Sequence, residues 1–171
     1  MIYLREISEK DIDVINNYRR DKKLVASLGA PFRYINIETD RNWFNSYQNN
    51  RSNNVRCAIC LKNNDEFVGV IYLTNIDWIS RTADFAISIG ASRHRGKGIG
   101  REATLKILEH AFYDMNLNRV QLRVLDTNEP ALKLYKSIGF KQEGLLREVV
   151  WKNNKYHNLF VMSILKKEFE G

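Results

Sequence analysis

The stretch Ile87-Ser88-Ile89-Gly90-Ala91-Ser92-Arg93-His94-Arg95-Gly96-Lys97-Gly98-Ile99-Gly100 limits the folds open to this chain more than any other part of it. A strand pattern enters a basic, glycine-rich loop, and an amphipathic helix leaves it. That helix carries Ile99, Ala103, Ile107, Leu108, Ala111 and Met115 on one face. Glycines let the backbone approach a ligand closely and adopt positive φ. A helix start presents unpaired N–H groups at the positive end of its dipole. Together they form an anion site suited to phosphate. Two familiar phosphate loops do not fit. A Walker A loop needs G-x-x-x-x-G-K-[ST], whereas five residues separate Gly90 from Gly96 and Gly98 follows Lys97. A dinucleotide fingerprint needs G-x-G-x-x-G, whereas Gly96, Gly98 and Gly100 give G-x-G-x-G.

The periodicity around this segment supplies the rest of the architecture. Ile2 to Ile7 alternates as a strand, and Ser8 with Asp11 forms a capping box for a helix through Ile12, Ile15 and Tyr18. Leu28-Gly29-Ala30-Pro31 breaks that helical region, and Thr39 is placed to cap a second helix bearing Trp43, Phe44 and Tyr47. Val55 to Leu61 and Phe67 to Thr74 flank a turn at Lys62-Asn63-Asn64-Asp65, and Ala83 to Ile89 is a third strand. After the long helix, Val120 to Leu125 is a strand. Asn128-Glu129-Pro130 opens a helix that ends at Gly139. Phe140 to Trp151 and Tyr156 to Leu165 close the chain as a strand pair around Lys152-Asn153-Asn154-Lys155. The order β-α-α-β-β-β-α-β-α-β-β predicts an α/β fold: a central mixed sheet with helices on both faces.

A length of 171 residues fits one domain that buries a core without disulfides. The C-x-x-C pair Cys57 and Cys60 lies within a strand, with no second pair and no nearby histidine, so redox and zinc readings give way to ordinary packed thiols. Met1-Ile2-Tyr3-Leu4-Arg5-Glu6 has no basic n-region, and no apolar run approaches the ~20 residues of a membrane span. The expectation is a cytoplasmic protein that does not engage a membrane. The net charge of +7 favours an anionic partner. Its one dense cluster, Arg93, Arg95, Lys97 and Arg101, is short and tied to the glycine loop, which argues against a nucleic-acid groove.

Two motifs carry a family resemblance. One is R-x-x-G-x-G at Arg95, Gly98 and Gly100. The other is N-x-x-A-x-x-x-Y-x-x-x-G-F at Asn128, Ala131, Tyr135, Gly139 and Phe140, one strand further on. The chain resembles the GCN5-related N-acetyltransferase (GNAT) superfamily, in particular the bacterial branch of ribosomal-protein N-terminal, spermidine and nucleotide-sugar acetyltransferases. The resemblance spans nearly the whole chain and is weakest before Val55. It implies a GNAT-like, mostly antiparallel sheet in a single acyl-CoA N-acyltransferase domain over 1–171. Acetyl-CoA would be the co-substrate, with no metal. Arg95, Gly96, Lys97, Gly98, Ile99 and Gly100 would hold the pyrophosphate, and Asn128 and Lys136 would also meet the cofactor. Backbone N–H groups at Ile87 and Ile89 would face the thioester carbonyl. Tyr135, which otherwise reads as a core aromatic, would protonate the departing thiolate as charge builds on sulfur. A base is harder to assign. Asp84 stands on the strand before the loop, where it also reads as a carboxylate paired to Arg81, and Glu148 is a weaker candidate. His94 reads as a phosphate neighbour or surface residue.

The acceptor stays open among a protein α-amine, an amino-sugar nucleotide and a polyamine, and a homodimer is open too. Tyr18-Arg19-Arg20-Asp21 is similar to a motif of the sugar-nucleotide branch, and the basic charge disfavours a polyamine. The alternative function is a non-catalytic acyl-CoA-binding regulatory module, which would bind acetyl-CoA without turnover.

Overall fold

The computed structural model of the chain describes residues 1–169. Seven strands form one sheet: β1 Ile2–Glu6, β2 Val55–Leu61, β3 Phe67–Asp77, β4 Thr82–Ile89, β5 Arg119–Leu125, β6 Lys141–Lys152 and β7 Lys155–Leu165. Their order across the sheet is β1-β2-β3-β4-β5-β7-β6. All neighbours pair antiparallel except β4 and β5, which run parallel. The one parallel join follows from a helical crossover between neighbouring strands. Helix α4, Ile99–Glu109, with its π-helical extension His110–Asp114, carries the chain from β4 to β5.

The remaining helices are α1 Ile12–Arg20, α2 Lys22–Ala26, α3 Ile37–Asn49, α5 Glu129–Ile138 and α6 Lys166–Phe169. The helices fall on two faces, as the alternation of the strands requires. Ile59, Ile71, Leu73, Ala83, Phe85 and Val120 pack beneath α4 and α5 against Ile99, Ile107, Leu108 and Phe112. On the other face Ala58 and Cys60 pack beneath α1 and α3 against Ile12, Ile15, Phe44 and Tyr47. Cys57 belongs to the first layer and Cys60 to the second, so the two thiols point to opposite sides of β2 and cannot bridge. Burial pushes the Cys57 thiol up to about 11, which makes it a poor nucleophile.

Local chemistry accounts for most element ends. The Ser8–Asp11 capping box forms, over a short 3-10 turn that leads into α1. α5 is capped by Asn128 and stops at Gly139. Asn153 and Asn154 both take positive φ, the two-residue turn that fits a twisted hairpin. Three features differ from the sequence reading. The first helical region divides at Asp21, whose carboxylate accepts from the N–H groups of Lys23 and Leu24 and starts α2. The cap of α3 is Asn36, accepting from the Thr39 N–H at 2.9 Å, and not Thr39 itself. α6 follows β7 directly. In the first two cases a polar side chain next to the expected boundary takes up the helix's free N–H groups.

Candidate active site

The parallel join between β4 and β5 is short. Its register is Thr82↔Arg119, Ala83↔Val120 and Asp84↔Gln121, and pairing stops there. β4 nevertheless stays paired with β3 as far as Gly69↔Ile89. From Phe85 onward the sheet is therefore open between β4 and β5. The Gly90 N–H donates to Val68 O on the β3 side at 2.9 Å. Main-chain groups alternate along a strand, so those of Ile87 and Ile89 turn toward the opening.

The glycine loop stands at the end of this opening. Gly98, the N-cap of α4, has φ +77. A Cβ built there, or on Gly96 at φ +71, would meet no atom within 4 Å. The first helical bond is Glu102 N–H to Gly98 O, which leaves the N–H groups of Ile99, Gly100 and Arg101 without an intrahelical acceptor. Ile99 anchors this turn with a buried side chain, while Lys97 and Arg101 are exposed. Open space above a ring of free donors fits a pyrophosphate group.

Two other basic residues of the cluster are occupied within the protein. The Arg95 guanidinium donates to Gly90 O at 3.0 Å and to Ile89 O at 3.4 Å, closing the loop on itself. Arg93 and His94 both bond Glu66, His94 Nε2 at 3.0 Å. His94 is buried, so the surface-residue reading does not hold; it fastens the loop to the β2–β3 turn. Those two partners, Arg93 first, hold the Glu66 carboxyl down at about 2. Gly90 lies flat beneath Tyr18 of α1, where a Cβ would sit 1.9 Å from Cζ of the ring. Neither Glu66 nor the Tyr18 contact was legible in sequence, because each joins residues far apart in the chain.

Tyr135 is buried on α5, edge-on to Phe85 with ring centroids 6.0 Å apart, and 5.6 Å from Phe140. Phe85 is the first β4 residue beyond the last β4–β5 pair, so the ring sits beside the opening. No described residue hydrogen-bonds the hydroxyl, and it is not among the sealed, unpaired polar atoms. Burial alone raises the phenol to about 12. Asp84 sits at the closed end of the opening. Its carboxylate accepts from Gln121 Nε2 at 2.6 Å and Asn75 Nδ2 at 2.8 Å, and not from Arg81. It alternates with Ala83 and Phe85 and so belongs to the α1/α3 face of the sheet, opposite Tyr135. Asn128 is fully engaged, its Oδ1 capping α5 at 3.3 Å and its Nδ2 donating to Ser27 O at 2.9 Å. Lys136 is exposed on α5. Glu148 lies on β6, the outer strand, separated from β5 by β7, and is not brought to the opening. Among the described residues no group of three or more His, Cys, Asp or Glu could hold a metal ion, and no helix is long and apolar enough to cross a membrane.

A mixed sheet parted between its two parallel strands, with a glycine-led helix start at the mouth, defines an acyl-CoA-dependent N-acyltransferase. The chain belongs to the GNAT acetyltransferase family, matching its Acetyltransferase (GNAT) domain over residues 2–141. It is 29% identical over 169 residues to an uncharacterized N-acetyltransferase p20 of Bacillus licheniformis, covering 98% of this chain and 94% of that one. It is 35% identical over 102 residues to the spermidine N(1)-acetyltransferase of Vibrio cholerae, covering 60% of this chain and 58% of that protein. The crystal structure of spermidine N-acetyltransferase from Vibrio cholerae with CoA and spermine superposes with a TM-score of 0.93, at 26% identity, covering 99% of this chain and 98% of the other. The protein is an acetyl-CoA-dependent N-acetyltransferase that moves an acetyl group to an amine.

Proposed function

We propose that the chain, acting as one acyl-CoA N-acyltransferase domain, transfers acetyl directly from acetyl-CoA to a primary amine held in the β4–β5 opening. The observation that carries this reading is the parting of the two parallel strands after Asp84 and Gln121, with the Ile87 and Ile89 main chain on the free edge. N–H groups there polarise the thioester carbonyl and stabilise the oxyanion as the amine adds. The N–H groups from Lys97 to Gly100, with the Lys97 charge, hold the pyrophosphate. Arg95 serves the cofactor by shaping the loop, and Asn128 by fixing the start of α5; Lys136 is left to meet the outer part of CoA.

Asp84 and Tyr135 divide the proton chemistry across the sheet. The acceptor ammonium loses its proton on the Asp84 face, to that carboxylate or to a water it orients, and the neutral amine attacks. Sulfur departs on the Tyr135 face. A phenol at about 12 stays protonated at neutral pH. Full transfer to a free thiolate of pKa near 8.5 would be uphill by about 3.5 units, on the order of 5 kcal/mol. The same burial raises the thiol, so the gap narrows when sulfur leaves into this pocket. Tyr135 then acts as hydrogen-bond donor first and proton donor second.

The reading includes a homodimer built on the β6–β7 hairpin, where Leu145, Val149, Trp151 and Tyr156 expose apolar side chains beside the edge strand. The likeness to spermidine acetyltransferases puts a polyamine among the acceptors, and the net charge of +7 weighs against it. The test is a thiol-release assay with acetyl-CoA and a panel of amines: a protein N-terminal peptide, an amino-sugar nucleotide and spermidine. Stimulated release with at least one amine is expected. Tight acetyl-CoA binding with no stimulation by any amine would favour a binding module without turnover.

A further inference from the structure

On the α1/α3 face, one set of side chains is not used by the reaction as described. Arg56 of β2 lies over three rings: Tyr72 at 4.8 Å, Trp43 at 5.0 Å and Tyr47 at 5.7 Å from its guanidinium carbon to the centroids. Arg19 of α1 lies 4.5 Å from the centroid of the same Trp43 ring. Two guanidiniums thus share one indole. Among the described residues one carboxylate serves them. Asp40 is fully buried, 2.8 Å from Arg19 Nη1, but its Oδ1 is off the line of a hydrogen bond, and its Oδ2 accepts from Asn16. Among the described residues Arg56 has no carboxylate within ion-pair distance, and its Nε is buried without a partner. Burial, with the Arg19 charge alongside, lowers its pKa below the ordinary guanidinium value. The cluster carries one positive charge more than it neutralises and an unused donor.

Its position gives that charge a use. Arg56 pairs with Tyr72, and Tyr72 with Ala86, in a single row across β2, β3 and β4 on this face. Ala86 is exposed, and Asp84 precedes it by two residues on the same face of the strand. Two strand spacings, roughly 10 Å, separate Arg56 from the β4 edge at the opening, and an arginine side chain spans a good part of that.

We infer that Arg19 and Arg56 form the acceptor's recognition subsite, and that the amine this enzyme acetylates carries an anionic group, carboxylate or phosphate, a short distance from its nitrogen. The inference rests on the proposed transfer at the β4–β5 opening. Arg56, held on aromatic faces, presents its edge to the anion; Arg19 supplies the second donor; the amine then reaches across Ala86 to the thioester beside Asp84. A polycation is repelled by the same pair.

The experiment compares matched acceptors at saturating acetyl-CoA: an amino acid against its amide, O-phosphoethanolamine against ethanolamine, and spermidine. At least one anionic member is expected to exceed its neutral partner by about tenfold or more in kcat/KM. The carboxylate and phosphate pairs identify which anion is used. Arg56→Gln should reduce that ratio about tenfold with the CoA dissociation constant unchanged, and Arg56→Lys should restore part of it. Inorganic phosphate or acetate should compete with the amine in the unmodified enzyme, a readout that needs no variant. Equal rates within both pairs, a preference for spermidine, or an Arg56→Gln loss shared equally by charged and neutral amines would overturn the inference. Failure of every amine in the presence of bound acetyl-CoA would overturn the transfer reading itself.

Discussion

Replacing Gly98 by alanine separates the helix start's role in folding from its role in binding. The residue has φ +77, and a Cβ placed there has no atom of the described residues within 4 Å, so the methyl itself meets none of them. The folded state loses only the cost of holding an L-residue in the left-handed region, about 1–2 kcal/mol. For a chain of this size that lowers Tm by about 2–8 °C. Binding suffers differently. A phosphate oxygen must come within about 2.9 Å of the N–H groups it bonds, and the methyl stands in the space it would cross. A loss of ten- to hundredfold in CoA affinity is expected, about 1.4–2.8 kcal/mol. Thermal melting without ligand and calorimetric titration with CoA measure the two effects on the same preparation. Gly90→Ala is the contrasting control, because its Cβ would collide with the Tyr18 ring and disturb α1 packing. A Gly98→Ala protein whose Tm falls as stated but whose CoA affinity stays within about twofold of the parent would refute the assignment of this helix start to the pyrophosphate.

Tyr135→Phe keeps the ring that packs on Phe85 and Phe140, so stability and CoA affinity should hold while kcat drops about 100-fold; an unchanged kcat in steady-state assays removes the tyrosine from the chemistry. Asp84→Asn should lower kcat by about 100-fold with CoA affinity unchanged, and a kcat kept at the parent's value assigns the base elsewhere. Glu66 titrates at about 2 in the folded protein. An unfolded glutamate titrates near 4.3, so the bonds to Arg93 and His94 are intact above that value and fail as pH falls through about 2. Glu66→Gln should therefore melt with a flatter acid dependence than the parent between about pH 4.5 and 2, and identical curves would show the carboxylate contributes nothing. Thiol alkylation should be slow at half-buried Cys57 in the folded enzyme and fast in denaturant; fast labelling of the native protein would contradict its raised thiol pKa.

The residues themselves determined the order of the strands, the glycine-led start of α4 and the Asn128 cap, because each depends on neighbours within a few positions: hydrophobic period, a glycine needed for positive φ, a side-chain acceptor three residues before an N–H. Tertiary structure decided what adjacency in the chain cannot express. It showed that β4 and β5 part after three residue pairs, and that Asp84 is gripped by Gln121 and Asn75 in place of Arg81. It turned His94 inward to Glu66 and set Arg19 and Arg56 against one indole. These contacts join residues from nine to 37 positions apart, and their energies depend on distances that only the folded sheet brings within a few ångströms.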